Sequence, residues 1–182
     1  WSNDESALQS YSAASEINPS HAQFFLAKAE TLVALNRDDE AIELLLGNNR
    51  FQHQASIPAL LGHIYLRLGK SNLASQYFAD SRALGNDDPI LFADLAIAEF
   101  RAGLYAQCLM TLRELETIKK DGLTTLQQRI RGKSLAATGR LMQGRDICLS
   151  VTRETPQDAD AWIDLGYIAW KMGDYRRLEQ CG

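Results

Sequence analysis

A turn residue recurs along the chain at an almost constant spacing. Successive marks lie 33 to 36 residues apart: Asn36, Gly69, Gly103, Gly139 and Gly173. Glycine, and after it asparagine, tolerates the positive φ at which many helices end. A fixed period of this length is typical of arrays in which one small helical unit is stacked repeatedly. The chain is therefore predicted to be a repeat array.

Two further positions repeat in step with these turn marks. Seven residues before each mark there is a glycine or an alanine: Ala29, Gly62, Ala96, Gly132 and Gly166. Five residues after the marks the side chain is small in four of five cases: Ala41, Ala74, Cys108 and Gly144, with Leu178 as the exception. Small side chains let two helices approach closely, because the distance between helix axes depends on the residues in contact. The pattern predicts one antiparallel helix pair in each repeat.

The motif W-x2-L-G appears near the C-terminal end, as Trp162, Leu165 and Gly166. Together with the period, it resembles the tetratricopeptide repeat, a helix–turn–helix unit of about 34 residues. Ala169 departs from that family's pattern, which has tyrosine at this place. The resemblance implies an all-α fold, a right-handed superhelical solenoid of stacked antiparallel helix pairs.

The period predicts a single array over residues 1–182, without an internal domain boundary. Residues 1–20 are predicted to be the second helix of a truncated repeat. Residues 159–182 begin another truncated repeat, whose second helix starts at Tyr175. The complete repeats between them are 21–54, 55–88, 89–124 and 125–158. Both ends fall inside a repeat, so we interpret the chain as a piece of a longer array.

Local signals mark where several helices begin. Ser20 is expected to cap the first helix of the repeat that follows it, and Asp88 with Pro89 has the composition of a helix start. In the fourth repeat, Gln128 and Arg131 stand where the family pattern has Trp and Leu. These departures leave the packing of that repeat's first helix open.

Composition and motifs argue against several classes of function. A net charge of −4 and a pI near 5.4 disfavour binding to nucleic acid or to an anionic membrane. The sequence has no run of 18 apolar residues that would span a bilayer. It also lacks a P-loop, G-x-G-x-x-G and G-x-S-x-G. The chain is therefore not expected to be an enzyme.

The metal-ligating residue types are few and scattered. The histidines are His21, His53 and His63, and no pair of them has the spacing of a zinc site. Cys108 and Cys148 occupy predicted packing positions, so we interpret them as buried small side chains. No cofactor is expected. The cytoplasm and a bacterial periplasm both stay open as compartments, because periplasmic repeat proteins often lack disulfides as well.

The resemblance also implies where a ligand binds, since in this family the first helices of successive repeats line a concave groove. The predicted groove residues are His63, Ile90, Ala93, Ile97, Phe100, Arg129, Lys133, Tyr167 and Trp170. The four on the third repeat are all apolar where a solvated helix face would be polar. Tyr167 and Trp170 lie three residues apart, so they share a helix face, and aromatic residues are typical binding anchors. The alternative is that neighbouring repeats cover these side chains.

Two cations in the fourth repeat support two interpretations. Arg129 and Lys133 lie four residues apart and project from one helix face. They would receive an acidic stretch of a partner, or they pair within the chain with Asp94, Glu99 or Asp160. A carboxylate clamp of the kind found in the family is disfavoured, because the asparagines of that site are missing.

The preferred hypothesis is a non-catalytic protein–protein interaction scaffold. It would bind a peptide or helix segment of a partner, apolar with an acidic stretch, in the concave groove. The alternative is a structural spacer or oligomerisation module of a larger assembly, such as a bacterial secretion or polysaccharide-export system, that associates through its truncated ends. RNA recognition is a third class, and both the acidic charge and the apolar groove residues of the third repeat contradict it.

Overall fold

The computed structural model describes residues 2–51 and 53–173, apart from the side chains of Ser2, Asn3 and Asn49. The second helix predicted from Tyr175 lies outside the described residues. The described part contains ten α-helices and one 3₁₀ turn over Asn49–Phe51, and it contains no strand. The helices are α1 Ser2–Ile17, α2 Ala22–Ala34, α3 Asp38–Gly47, α4 Ser56–Arg67, α5 Ser71–Ala83, α6 Pro89–Arg101, α7 Tyr105–Ile118, α8 Thr125–Ala137, α9 Leu141–Glu154 and α10 Ala159–Lys171.

The predicted turn marks all adopt the left-handed conformation. Asn36 has φ of 58°, and the four marked glycines have φ between 70° and 85°. At four of the marks, the amide after the turn residue donates to a carbonyl five residues earlier, as from Lys70 to Tyr65 at 2.9 Å. This bond is part of the Schellman motif that ends a helix. The sequence period therefore marks the places where one helix of a pair ends and the next begins.

The chain divides into two compact units, Trp1–Asp87 and Asp88–Gly182. In the first unit α1 packs on α2, α2 on α3, and α4 on α5. In the second unit each helix from α6 to α10 packs on the next one. The predicted all-α solenoid of paired helices is confirmed. The boundary between the units coincides with a predicted repeat boundary, whereas the grouping of all repeats into one array stays a prediction.

The small residues form the closest helix contacts. Ala29, Ala41, Ala74 and Ala96 are fully buried. In the second unit, a Cβ placed on Gly144 of α9 would lie 2.5 Å from the carbonyl oxygen of Gly132 on α8. Real Cβ atoms do not approach a backbone atom that closely. The two glycines therefore set how near α8 and α9 lie to each other.

The helix starts follow the expected chemistry at Asp88 but not at Ser20. The Asp88 carboxylate accepts a hydrogen bond from the amide of Ile90 at 2.9 Å, with Pro89 in the first turn of α6. The cap position of α2 is His21, which makes no side-chain cap bond. The Ser20 hydroxyl instead donates to the side chain of Asn18 at 2.8 Å. The prediction for Ser20 was wrong because α2 begins at Ala22, so that His21 and not Ser20 is the cap residue.

The fourth repeat forms a regular first helix despite its departures from the family pattern. Ile130 and Ser134 of α8 are buried, which gives the helix an inner face without Trp or Leu at positions 128 and 131. A capping box begins the helix. The amide of Thr124 donates to Gln127 Oε1 at 2.8 Å, and the amide of Gln127 donates to Thr124 Oγ1 at 3.4 Å.

Loss of this cap is expected to destabilise the second unit measurably. Thr124→Ala should lower the free energy of unfolding by about 1 kcal/mol, because an amide of the first turn loses its acceptor. The matched control is Thr117→Ala, since the Thr117 hydroxyl is exposed and bonds only to the carbonyl of Glu114 within its own helix. Urea unfolding followed by circular dichroism measures both. An equal effect of the two substitutions would contradict a special role for the cap.

Candidate functional site

Eight of the nine predicted groove residues lie on three helices of the second unit. Ile90, Ala93, Ile97 and Phe100 are on α6, Arg129 and Lys133 are on α8, and Tyr167 and Trp170 are on α10. Helix α8 contacts both α6 and α10. The first helices of these three repeats thus lie side by side. The period brings residues of three successive repeats, up to 80 positions apart in the sequence, into one unit.

These side chains differ in how far solvent reaches them. Ile90, Tyr167 and Trp170 are 65%, 47% and 55% exposed. Ala93, Ile97 and Phe100 are partly buried and pack against a core cluster that includes Phe92, Leu112 and Ile130. The predicted groove residues of α6 therefore belong partly to the core. Ile163 of α10 and Leu126 of α8, 65% and 51% exposed, extend the exposed apolar part, although neither was among the predicted site residues.

A cleft of about 490 Å³ opens between these helices. We call it the inner cleft; it is lined by Phe100, Tyr105, Lys133, Ala137, Ile163, Asp164, Tyr167 and Lys171. A smaller cavity of about 200 Å³ adjoins it and shares Phe100, Lys133 and Asp164. Both volumes are bounded by large apolar side chains with a few charged groups. This combination is typical of sites that hold apolar ligand groups in a defined orientation.

Arg129 is held by Asp158, at the end of its own repeat, and by Asp160 and Asp164 of the following repeat. Its Nε lies 2.8 Å from Asp164 Oδ2, and its terminal nitrogens lie 3.4 Å from Asp158 Oδ2 and 3.3 Å from Asp160 Oδ2. Lys133 Nζ lies 2.8 Å from the other oxygen of Asp164. The Asp164 side chain is only 5% exposed, so its charge is compensated inside the protein. Arg129 thus makes the intramolecular pairing that the sequence left open.

The sequence identified only part of this ion-pair cluster. Asp160 was one of the expected partners, but Asp158 and Asp164 were missed. Asp158 also caps α10, because its Oδ1 accepts from the amides of Asp160 and Ala161 at 3.1 and 3.3 Å. Asp164 lies 35 residues after Arg129, close to one period. Opposite charges one period apart on successive first helices were the signal that could have identified the pair.

Two lysines and two aromatic rings shape the inner cleft. Lys133 Nζ is 5.4 Å from the centre of the Phe100 ring, and Lys171 Nζ is 4.9 Å from that of Tyr167. Both distances fit cation–π contacts. The Tyr167 and Trp170 rings are 6.2 Å apart. The cleft therefore offers aromatic walls beside ammonium groups, an arrangement that suits apolar side chains next to an anion.

His63 is the predicted site residue in the first unit. It lies on α4 with its side chain exposed, and its ring packs edge-on against Phe78 at 5.0 Å between centres. Its inclusion in a binding groove stays a prediction.

The cysteines occupy the predicted packing sites. Cys108 and Cys148 are both fully buried and free. Burial raises the pKa of the Cys108 thiol to about 11 and that of the Cys148 thiol to about 12. These thiols therefore stay protonated near neutral pH, where a thiolate would be needed for reactivity. Cys181 lies outside the described residues.

Membrane-spanning and metal-binding features are both absent over residues 2–51 and 53–173. No helix there has both the length and the apolar character needed to cross a bilayer. No group of three or more His, Cys, Asp or Glu side chains in that part is placed to hold a metal ion.

Known proteins resemble the chain in sequence. A family model described as tetratricopeptide repeat matches residues 59–81, which include parts of α4 and α5. The anaphase-promoting complex subunit CDC16 of Saccharomyces cerevisiae is 23% identical over 174 residues, or 91% of this chain. The chain spans only 20% of the length of that relative.

Solved structures resemble the chain in fold. YrrB, described as a TPR protein with an unusual peptide-binding site, has a TM-score of 0.82 at 19% identity and covers 96% of this chain and 90% of its own. MamA from Desulfovibrio magneticus RS-1 has a TM-score of 0.75 at 12% identity, covering 88% and 90%. A chain of the APC/C hetero-tetramer Cut9–Hcn1 has a TM-score of 0.60 at 18% identity, covering 94% and 34%. With the left-handed turns and paired helices described above, these matches show that the chain has a tetratricopeptide-repeat fold.

Proposed function

We propose that the chain is a non-catalytic protein–protein interaction scaffold that binds a peptide or helix segment of a partner in the inner cleft. The observation that carries this proposal is the exposure of Ile163, Tyr167 and Trp170 on one face of α10. Ile163 and Tyr167 line the inner cleft and Trp170 lies beside Tyr167, and exposed side chains of this kind are typical anchors for a partner. Proteins built from this repeat are generally scaffolds, and YrrB, which has the same fold, is described as having a peptide-binding site.

The segment that best fits this cleft is apolar and carries an acidic stretch. Phe100 and Tyr105 would contact its apolar side chains, and Lys133 and Lys171 would attract its carboxylates. Arg129 does not receive the acidic stretch in this proposal, because its guanidinium is already neutralised by aspartates. In this proposal Ile90, Ala93 and Ile97 continue the apolar surface along α6.

Removal of two exposed anchors should weaken peptide binding strongly. A displayed peptide library selected on the wild-type chain supplies a probe, whose Kd is then measured by fluorescence anisotropy. Tyr167→Ser with Trp170→Ala is expected to raise this Kd by about tenfold or more, since each truncated anchor costs about 1 kcal/mol or more. Both side chains are exposed, so folding should be retained.

The matched control removes two equally exposed apolar side chains from second helices of the same unit. Met110 of α7 and Met142 of α9 are 65% and 54% exposed. Met110→Ala with Met142→Ala should leave the Kd of the selected peptide unchanged. If both double variants bind the peptide as the wild type does, the inner cleft is not the binding site.

A structural role within a larger assembly is a second candidate. Two observations favour it: the chain spans a fifth of the length of CDC16, and that relative is named as a subunit of a complex. A spacer or oligomerisation module would self-associate as its concentration rises, which light scattering measures. A peptide-binding scaffold would stay at one molar mass over the same range.

A further inference from the structure

The first unit has a separate apolar pocket, formed by α3, α4 and α5. We call it the outer pocket; its volume is about 420 Å³, and its lining residues are Leu45, Leu46, Ile57, Pro58, Leu61, Tyr77, Asp80, Ala83 and Leu84. Two second helices and one first helix bound it. The inner cleft lies in the other unit and is bounded mainly by first helices, so the two sites share no residue.

A shortened helix borders this pocket. Helix α3 has 10 residues, whereas α5, α7 and α9 have 13, 14 and 14. The difference of three to four residues is about one turn of 3.6 residues. After Gly47 the chain leaves the helix and forms a 3₁₀ turn that buries Phe51 against Phe25, at 5.3 Å between ring centres. The end of α3 therefore leaves part of α4 and α5 uncovered.

The corresponding residues of the second unit are charged and line a cavity of about 670 Å³. Leu46 lies ten residues after its turn mark, as Arg113 does. Leu61 lies eight residues before its turn mark, as Arg131 does. Arg131 pairs at 3.1 Å with Glu116, which lies 13 residues after its turn mark. In the first unit, the position thirteen residues after the turn mark Asn36 is 49, which lies beyond the end of α3. The lining is thus mostly apolar in the first unit, whereas in the second unit it contains an ion pair.

The outer pocket has a rigid floor and an apolar rim. Leu45, Ile57 and Leu61 are buried and form its floor, while Leu46 and Leu84 are 47% and 39% exposed. The ring of Tyr77 stacks on that of Tyr65 at 5.3 Å with an interplanar angle of 8°, which holds this wall in place. A volume of this size lies within the range of about 300–1,000 Å³ that is usual for binding pockets.

The charge balance of the first unit, together with Asp80 in the pocket lining, indicates the chemistry of the occupant. Residues 1–87 contain ten acidic and six basic side chains, whereas residues 88–182 contain thirteen of each. The net negative charge of the chain therefore belongs to the first unit. Asp80 is exposed and is the acidic group of the pocket lining. Electrostatic complementarity favours a partner with basic groups next to its apolar anchor.

We propose that the outer pocket is a second docking site, which receives one turn of a basic amphipathic helix from a partner protein. A large apolar side chain of that helix enters between Leu46, Leu61 and Leu84, beside the end of the shortened helix α3. A lysine or arginine one turn away pairs with Asp80. The site is independent of the inner cleft and selects a partner of opposite charge.

The test uses a displayed library of helical peptides selected on the full chain with Tyr167→Ser and Trp170→Ala, which silences the inner cleft. Enriched peptides are expected to carry a large apolar residue with Lys or Arg three or four positions away. Ala83→Trp fills the pocket from an exposed position, and Leu46→Ser removes part of the rim. Each should raise the Kd of the enriched peptide by about tenfold.

The charge requirement is tested with two matched reversals. Asp80→Lys should raise the Kd several-fold more than Glu30→Lys, which changes the net charge equally from an exposed position of α2. Circular dichroism melting establishes that all variants are folded. The proposal is overturned by enrichment of acidic peptides or of none, by equal effects of the two reversals, or by a Kd that Ala83→Trp and Leu46→Ser leave unchanged. Self-association that Leu46→Ser abolishes would also overturn it, since the occupant would then be a second copy of the chain.

Discussion

Gly144→Ala is expected to lower the free energy of unfolding by about 2–3 kcal/mol, the upper range for overpacking a helix contact. The new Cβ would lie 2.5 Å from the carbonyl oxygen of Gly132 and 3.1 Å from the amide nitrogen of Ala136. Both are backbone atoms, so no side-chain rotation relieves the contact. Helices α8 and α9 would have to separate, and their shared core would lose packing.

This result would run against intrinsic helix propensity. In a helix interior, alanine is more favourable than glycine by about 0.5–1 kcal/mol. Gly47, the last residue of α3, supplies the control, because a Cβ there would meet no atom within 4 Å. Gly47→Ala should therefore be neutral or stabilising. Urea unfolding of the two variants measures the difference, and a stabilised Gly144→Ala would show that α8 and α9 lie farther apart than described.

Arg129→Met should also destabilise the second unit, by about 3 kcal/mol, because removing one partner of a buried ion pair leaves the other uncompensated. The Arg129 side chain is 14% exposed, and that of its closest partner Asp164 is 5% exposed. In the variant, Lys133 would be the remaining cation bonded to the Asp164 carboxylate. Methionine keeps much of the length and apolar volume of the arginine stem, so the decrease in the free energy of unfolding reflects the loss of the charge. Urea unfolding measures it.

Two companion variants separate the charge effect from general packing. Arg131 is a cation on the same helix, and its ion pair with Glu116 is partly exposed. Arg131→Met should therefore lower the free energy of unfolding by less than about 1 kcal/mol. Arg129→Met combined with Asp164→Leu should recover much of the lost stability, since it removes both buried charges together. Equal losses for Arg129→Met and Arg131→Met would place Arg129 among ordinary surface ion pairs.

The helix pairs could be predicted from the sequence because they depend on local chemistry. A residue at positive φ has to be Gly or Asn, so Asn36 and Gly69 locate helix ends without knowledge of any tertiary contact. The close contact of α8 with α9 was likewise predictable. Gly132 lies seven residues before Gly139 and Gly144 lies five residues after it, which are the two positions where small side chains recur. Both predictions use positions within a single repeat.

The candidate site was less predictable because it depends on contacts between repeats. The family resemblance placed Tyr167 and Trp170 on the same face, but it did not separate them from Phe100, which is partly buried in the core. Two partners of Arg129 come from the following repeat, and the third, Asp158, is also a helix cap. The outer pocket depends on the length of α3, which a turn mark alone does not define.

The pairing of Arg129 with Asp164 has a consequence for protein engineering. The two residues lie on different repeats, so each of these repeats is electrostatically incomplete by itself. A chimera that transplants or duplicates the repeat with Asp164 would bury a carboxylate that has lost its guanidinium, unless the preceding repeat moves with it. For recombination, the exchangeable module in this part of the chain is therefore a pair of repeats.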